Sequence, residues 1–179
     1  MLRSPLGRLQ LQTRLFRRAK PVLFRAATLY RRTLVRHIRI ATIVGSFGKS
    51  TATRTTMAAL GGDVSRLSER NAGSFLARAM FRVRPWHRYS AIEVAVDGPG
   101  TMWPSVAMIQ PDIVVVTSIG SEHNRSFKTL EATRHEKAEM VRGLREKGLA
   151  VLNGDDPNVA WMSSQTEARI ITFGFEPSN

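Results

Sequence analysis

The sequence contains no cysteine, no acidic residue before Asp63 and no apolar stretch near the length of a membrane span. Without cysteine, disulfides and thiolate metal sites are excluded, and a reducing compartment is permitted. Crossing a bilayer takes roughly 20 apolar residues, and a signal peptide has an apolar core before a small-residue cleavage site. Because the chain shows neither pattern, we expect a cytoplasmic protein that is neither membrane-spanning nor exported.

The shortage of acidic residues is confined to one part of the chain. Residues 1–62 hold 13 Lys and Arg and no Asp or Glu, whereas residues 63–179 hold 14 basic and 14 acidic residues. The formal net charge of +13 therefore belongs to the N-terminal third. The 179 residues are 42% hydrophobic and 23% charged, which is ordinary for one globular domain with a core.

The basic segment, residues 1–37, has the periodicity of a helix. Apolar residues recur every seven positions and arginines recur at the same interval on another face: Leu9, Phe16, Leu23 and Tyr30, and Arg18, Arg25, Arg32 and Arg39. This pattern predicts a basic amphipathic helix. Pro21 has no backbone donor, so we expect the helix to restart there.

The sequence allows three interpretations of what this segment binds. The helix could pack on the domain or on a neighbouring protein with its arginines in water, or dock on an anionic membrane surface, which would place the protein at the inner membrane face. The third partner is nucleic acid. It is the least favoured, because the segment has no aromatic stacking platform and no recognised nucleic-acid motif.

From residue 38 onward, short β-branched runs alternate with helical patterns. We predict five strands and a helix at residues 130–147 that stops at Gly148; the strands are residues 38–44, 90–96, 112–118, 149–153 and 168–174. The strands read as buried on both faces, and the helices between them favour parallel pairing. Residues 38–179 are therefore expected to form an α/β domain, a mostly parallel sheet with helices on both faces.

The segment "GSFGKST" between the first strand and a helical pattern has the composition of a phosphate cradle. The glycines allow backbone N–H groups to point inward, the following helix start favours an anion, and Lys49 would reach outer phosphates while Ser50 binds magnesium. A full Walker pattern needs glycine at position 43, which is Ile43, so this is a shortened P-loop. The predicted nucleotide-binding residues are Gly45, Ser46, Phe47, Gly48, Lys49, Ser50 and Thr51. A glycine turn with a chance lysine is the alternative.

Two further polar residues lie where α/β proteins bind ligands. Glu93 interrupts the apolar strand "AIEVAV", and His123 follows the carboxyl end of the next strand. A buried carboxylate is unfavourable without a partner, so a metal or cation near Glu93 would account for it. An ion pair with arginine is the alternative for Glu93, and an ordinary surface loop is the alternative for His123.

The order of these segments resembles the ATP-binding central domain of the Mur ligase family. The similarity runs through "GSFGKST", "IEVAVDGPG", "PDIVVVTSIGSEHNRSFKTLEATRHEKAEM" and "GLAVLNGDDPNVAWM", over roughly residues 38–176. It is strongest to members that add a dipeptide to a muramyl peptide in peptidoglycan synthesis, and "GKSTATR" also resembles poly-γ-glutamate synthetases. The resemblance implies an enzyme that uses ATP and Mg²⁺ to join a carboxylate to an amino acid or peptide through an acyl phosphate.

The resemblance also implies roles for individual residues. It makes Ser50, Glu93 and His123 magnesium ligands, and it places Lys137 where many members have a carbamylated lysine that helps hold a second magnesium. Lys49, His123 and Lys137 are thus the expected catalytic residues. A solvated helix face is the alternative for Lys137.

The sequence departs from the family pattern at three positions, where we expect an effect on substrate choice and none on phosphate binding. The departures are a serine for the usual asparagine, an aromatic residue in the P-loop and a threonine for a common glutamate: Ser118, Phe47 and Thr101.

The resemblance covers a central domain alone. We expect a C-terminal ligase domain to act in trans or to lie outside this sequence, and we expect no domain for a UDP-sugar within it. A membrane-associated, non-catalytic nucleotide-binding module and a P-loop kinase are the rival functions.

Overall fold

The computed structural model describes residues 5–62, 74–96, 98–120 and 127–175, with helix side chains from residue 19 onward. Six α-helices, one 3₁₀-helix and five strands lie in these ranges. In chain order they are α1 (Pro5–Thr33), β1 (Arg39–Val44), α2 (Lys49–Ala59), α3 (Ser74–Arg82), β2 (Tyr89–Glu93), α4 (Met102–Ile109), β3 (Ile113–Val116), α5 (Leu130–Arg142), β4 (Leu149–Asn153), α6 (Pro157–Ala160), the 3₁₀-helix (Trp161–Gln165) and β5 (Arg169–Phe173).

The five strands form one sheet in the order β2-β1-β3-β4-β5, and all neighbouring pairs are parallel. β1 lies between β2 and β3, with Ile43 opposite Glu93 and Val44 opposite Val116. The carboxyl ends of these three strands therefore meet at one edge of the sheet. This architecture confirms the predicted mostly parallel α/β fold.

Helices pack on both faces of the sheet. On one face, α1, α3, α4 and α5 share a large core with alternate strand residues, among them Ile40, Val114 and Leu152. On the other face, Met57 of α2 packs in a smaller cluster with Ile43. Strands buried between two helical layers explain why their sequences are apolar runs rather than alternating patterns.

The structure corrects the bounds of one predicted helix and two predicted strands. The helix predicted to stop at Gly148 ends at Arg142, with Gly143 as its cap. A Cβ at Gly143 would overlap Val106 of α4, so the close approach of two helices requires glycine there. The predicted strands at 90–96 and 112–118 are shorter, because the chain leaves the sheet after Glu93 and Val116 to enter loops at the carboxyl edge.

A further correction concerns Pro21. α1 continues through Pro21 as one helix of 29 residues instead of restarting there. Pro21 itself is exposed, and the part of α1 that follows it packs on the domain. Among the helices within the described ranges, none is long and apolar enough to cross a membrane.

A buried arginine anchors the end of α1. Arg31 is 1% exposed, and its guanidinium donates five hydrogen bonds, to the carbonyl oxygens of Val35, Ile38, Ile109 and Gln110 and to the Asp112 carboxylate at 2.7 Å. Burial lowers the pKa of Arg31, and the charge of Asp112 opposes that shift. The same Asp112 oxygen accepts the backbone N–H of Ile40. Arg31 thereby ties α1 to the amino ends of β1 and β3.

Ala27 and Val35, which flank Arg31, belong to the core of the first face. The last turns of α1 therefore pack with the strands. The division of the chain into residues 1–37 and 38–179 stays a prediction.

Replacing Arg31 with alanine should lower the free energy of unfolding by about 3 kcal/mol, since the change leaves buried carbonyl oxygens and a carboxylate without their donor. Arg25→Ala, on the exposed side of the same helix, should change it by about 0.5 kcal/mol or less. Urea denaturation of both variants measures the difference. Equal destabilisation by the two changes would contradict an anchoring role.

Candidate active site

The loop between β1 and α2 turns sharply at two glycines. Gly45 has φ 149° and Gly48 has φ 77°, both in the region that favours glycine. At Gly45 a Cβ would overlap the Thr117 hydroxyl at the end of β3. The glycines of the predicted P-loop are therefore required by the backbone turn and by close packing against β3.

The residues that follow β3 hold this loop in place. The backbone N–H of Ser46 donates to the Ser118 carbonyl at 2.7 Å, and that of Phe47 donates to the Ser118 hydroxyl at 3.0 Å. The Thr117 hydroxyl donates to the Phe47 carbonyl at 2.6 Å. Ser118, which departs from the family pattern, thus has a definite role in holding the loop, and sequence reasoning missed it.

The start of α2 differs from the starts of other helices. Its cap residue is Gly48, which offers no side-chain acceptor, and its first turn has no acidic residue. By contrast, Thr129 caps α5, Asp156 caps α6, and the Glu136 carboxylate accepts from Gly100 and Met102 at the start of α4. The first N–H groups of a helix have no carbonyl partner within it. The positive end of α2 is therefore suited to an external anion.

Two lysines converge on Ser46. Lys49 is buried and its ammonium group donates to the Ser46 carbonyl at 2.8 Å. Lys137 of α5 is 1% exposed, and its ammonium group donates to the Ser46 hydroxyl at 2.9 Å. Lys137 therefore does not lie on a solvated helix face. The structure places two positive charges beside the same loop residue.

Ser46 is also joined to the loop after β3. Its hydroxyl donates to the Gly120 carbonyl at 3.0 Å and accepts the Gly120 N–H at 2.7 Å. With the bond from Lys137, this hydroxyl links the P-loop to α5 and to the segment after β3. The neighbouring Phe47 ring packs on Gly120 so closely that a Cβ there would lie 2.5 Å from Cε2.

Ser50 contacts Glu93, the last residue of β2. The Ser50 hydroxyl, in the first turn of α2, donates to the Glu93 carboxylate at 2.9 Å. The register that sets Glu93 opposite Ile43 brings this carboxylate next to the P-loop. Two hard oxygen donors, the kind that Mg²⁺ prefers, thus lie side by side.

The remaining predicted ligand, His123, lies outside the described residues. Within the described ranges there is no cluster of three or more His, Asp or Glu residues that could hold a metal ion. The structure therefore brings together Lys49, Ser50, Glu93 and Lys137 around the P-loop, and the position of His123 stays a prediction.

Two supporting carboxylates were not foreseen from the sequence. Glu136, which precedes Lys137 in α5, accepts the backbone N–H of Gly100. Asp156 accepts the Ile119 N–H at 2.7 Å. Both hold loops at the carboxyl edge of the sheet. The "NGDDP" sequence around Asp156 is typical of a turn, but nothing in the sequence indicated that Asp156 would bind the Ile119 backbone.

Residues 39–179 match the family model of the Mur ligase middle domain. The chain belongs to this family. The resemblance noted in the sequence is thereby confirmed, and the P-loop, Glu93 and Lys137 lie within the matched Mur ligase region.

Curated relatives and solved structures agree with this membership. The chain is 34% identical over 141 residues to UDP-N-acetylmuramoyl-tripeptide–D-alanyl-D-alanine ligase of Mycobacterium tuberculosis, covering 75% of this chain and 27% of that protein. It is 26% identical over 131 residues to the Escherichia coli ligase of the same name, covering 72% and 28%. The chain thus spans about a third or less of the length of these Mur ligases.

The fold matches MurF from Acinetobacter baumannii with a TM-score of 0.77 at 21% identity, over 87% of this chain and 35% of that one. MurF from Thermotoga maritima in complex with ADP gives a TM-score of 0.75 at 21% identity, over 87% and 36%. These likenesses support the Mur ligase fold of the chain.

Gly45→Ala should destabilise the domain by about 2 kcal/mol, because the new methyl group meets the Thr117 hydroxyl in a backbone region that alanine rarely adopts. Gly98→Ala is the matched control, since nothing lies within 4 Å of the position of its Cβ. Thermal unfolding of both variants tests this. An unchanged midpoint for Gly45→Ala would show that the loop does not press on β3 as described.

Proposed function

We propose that the chain is the ATP-binding part of an enzyme of the Mur ligase type, which joins a carboxylate to an amino acid or peptide through an acyl phosphate. The observation that carries the proposal is the position of the Lys49 ammonium group, which lies on the Ser46 carbonyl of the P-loop beside a helix start with no side-chain cap. A polyphosphate is stabilised by a cationic donor and by a set of backbone N–H groups, which Lys49 and the start of α2 supply.

In this proposal the P-loop residues 45–51 surround the phosphates of ATP. The N–H groups at the start of α2 face the β-phosphate, and Lys49 swings from the Ser46 carbonyl to the outer phosphate oxygens. The bond between Thr117 and Phe47 keeps the loop from opening when the phosphates bind. A preformed loop needs little rearrangement, which favours both affinity and rate.

The residues present fit a magnesium ion. The Ser50 hydroxyl donates a hydrogen bond to Glu93 and keeps lone pairs for a cation, and Glu93 adds a carboxylate oxygen. We propose Ser50, Glu93 and His123 as magnesium ligands, with a carbamate on Lys137 completing a second site. When bound, magnesium neutralises charge on the phosphate oxygens during transfer.

The reaction follows from these positions. A substrate carboxylate oxygen attacks the γ-phosphorus of ATP, the bond to the ADP oxygen breaks, and an acyl phosphate and ADP are formed. The amine of the second substrate then attacks the acyl carbon and displaces inorganic phosphate, losing a proton. Lys49 holds the transferring phosphoryl group in line with the carboxylate and stabilises its charge.

The amide-forming step needs enclosure beyond one domain. An acyl phosphate is hydrolysed unless water is excluded, and closing domains are the usual means of excluding it. The matched region covers 27% and 28% of the length of the two curated relatives. We propose that residues 38–179 form one wall of the site and that a C-terminal ligase domain, in trans or in a longer chain, forms the other.

Lys49→Ala should weaken ATP binding in the presence of magnesium by about tenfold or more, or 1.4 kcal/mol, because a positive charge at the outer phosphates is lost. Isothermal titration calorimetry measures the change. Lys147→Ala, an exposed lysine at the amino edge of β4, is the matched control and should bind ATP normally. Unchanged affinity in a folded Lys49→Ala protein would remove the P-loop assignment.

The chain alone should bind ATP and hydrolyse it slowly, without forming an amide. Adding the C-terminal domain of a related ligase should produce ADP release that depends on both an acid and an amine, which a coupled assay with product mass spectrometry detects. Amide formation by the chain without a partner would contradict the proposal that a second domain is required. Transfer of phosphate to a sugar would favour the rival P-loop kinase, and no acid-dependent turnover with any partner would favour a non-catalytic nucleotide-binding module.

A further inference from the structure

An exposed tryptophan lies among arginines at the edge of the sheet opposite the P-loop. Trp86, in the turn between α3 and β2, is 75% exposed. Its neighbours Arg84 and Arg88 are also exposed, as are Arg36 and Arg39 just before and at the start of β1. We call these five residues the basic-aromatic surface. Neither the P-loop chemistry nor the core requires an exposed indole at this edge.

Hydrogen bonds fix the two halves of this surface side by side. The His37 ring bonds to the Pro85 carbonyl at 2.8 Å, and the Arg39 N–H donates to the Arg88 carbonyl at 3.1 Å. The Tyr30 hydroxyl of α1 donates to the Val83 carbonyl at 2.6 Å. Because three bonds join the segments, the arginines and Trp86 are presented together as one surface.

The outer face of α1 also carries exposed apolar and basic side chains. Val22 and Leu29, seven residues apart, are 68% and 64% exposed, and Arg25 and Arg32 between and after them are exposed as well. The inner face is already occupied by the core, through Ala27 and the anchored Arg31. The exposed apolar residues of α1 are therefore not the ones that pack on the domain.

The charge around this surface has a single sign in the sequence. Residues 1–62 contain no acidic residue, and neither do residues 70–92, which include α3, Trp86 and the start of β2. Asp112, which lies at the same edge, is bound by Arg31 and Arg145. The exposed Glu146 and Glu167 precede β4 and β5, the strands farthest from β2 in the sheet. Such a surface combines many positive charges with an exposed indole and exposed aliphatic side chains. It is complementary to a partner whose outermost layer is anionic and whose next layer is apolar.

We propose that the basic-aromatic surface and the outer face of α1 dock the protein peripherally on membranes that contain anionic phospholipid. Arginines near such a surface interact with lipid phosphates, and tryptophan favours the boundary between headgroups and acyl chains. A single exposed indole, together with the exposed aliphatic side chains of α1, fits this boundary better than it fits RNA, which is bound by series of aromatic side chains. The surface lies at the amino ends of β1 and β2, so docking leaves the P-loop at the carboxyl ends facing the solvent.

Vesicle sedimentation of the full chain tests the proposal. The protein should sediment with vesicles of phosphatidylcholine and phosphatidylglycerol and stay in solution with phosphatidylcholine alone, and binding should fall steeply as salt is raised. The double change Arg84→Gln and Arg88→Gln should weaken binding by about tenfold or more. The matched control removes two exposed charges away from the amino edge of the sheet, by Arg54→Gln on α2 and Lys128→Gln before α5, and should bind nearly as the parent does.

Tryptophan fluorescence gives a second measurement. Anionic vesicles should shift the emission to shorter wavelength as the Trp86 ring leaves water. Trp86→Phe should abolish that shift, and Trp103→Phe, which changes an exposed tryptophan at the start of α4, should retain it. ATP should not alter vesicle binding, so this test succeeds or fails independently of the nucleotide proposal.

Several outcomes would overturn the proposal. They are equal sedimentation with neutral and anionic vesicles, no sedimentation with either, and equal loss of binding in the control double variant. Tighter binding to a single-stranded RNA oligonucleotide than to anionic vesicles at the same salt would assign the surface to nucleic acid instead.

Discussion

The site depends on the contact between the P-loop and the end of β3. Gly45 approaches Thr117 so closely that no side chain fits, and Ser118 binds the backbone of the next two loop residues. This contact exists because β3 is the parallel neighbour of β1, so the two strands end at the same edge. Once the loop is held, α2 begins after Gly48, beside the carboxyl ends of β1 and β3. The order of the strands thus determines where an anion can bind.

The same contact creates an electrostatic constraint. Ser46, held by Ser118 and Gly120, receives one ammonium group on its carbonyl and another on its hydroxyl. Lys137 is 1% exposed, so little water reaches its ammonium group, and its hydrogen bond to Ser46 helps to offset the cost of burial. The placement of Ser46 therefore determines where both lysines lie relative to the start of α2.

Sequence reasoning reached those features that local pattern determines. The parallel sheet followed from apolar runs between helical patterns, and the loop followed from two glycines and Lys49, which act within a few residues of one another. Ser118, Glu136 and Gly143 were not foreseen, because their roles arise from contacts with the P-loop, the α4 start and Val106, far apart in the chain. A single sequence carries no signal for such packing. For Ser50 and Glu93, the sequence could predict a position at the same edge of the sheet, but not the hydrogen bond between them.

The arginines of α1 show how one helix separates structural from surface roles. Arg31 lies off the seven-residue stripe that includes Arg25 and Arg32, and periodicity alone could not distinguish it as the buried one. Its bonds to carbonyl oxygens at the ends of two neighbouring elements fix the rotation of the helix. Because the rotation is fixed, Arg25 and Arg32 point outward with no further ordering of the backbone. A partner that binds this face then meets a rigid array, and the entropy lost on association is smaller than for a mobile basic tail.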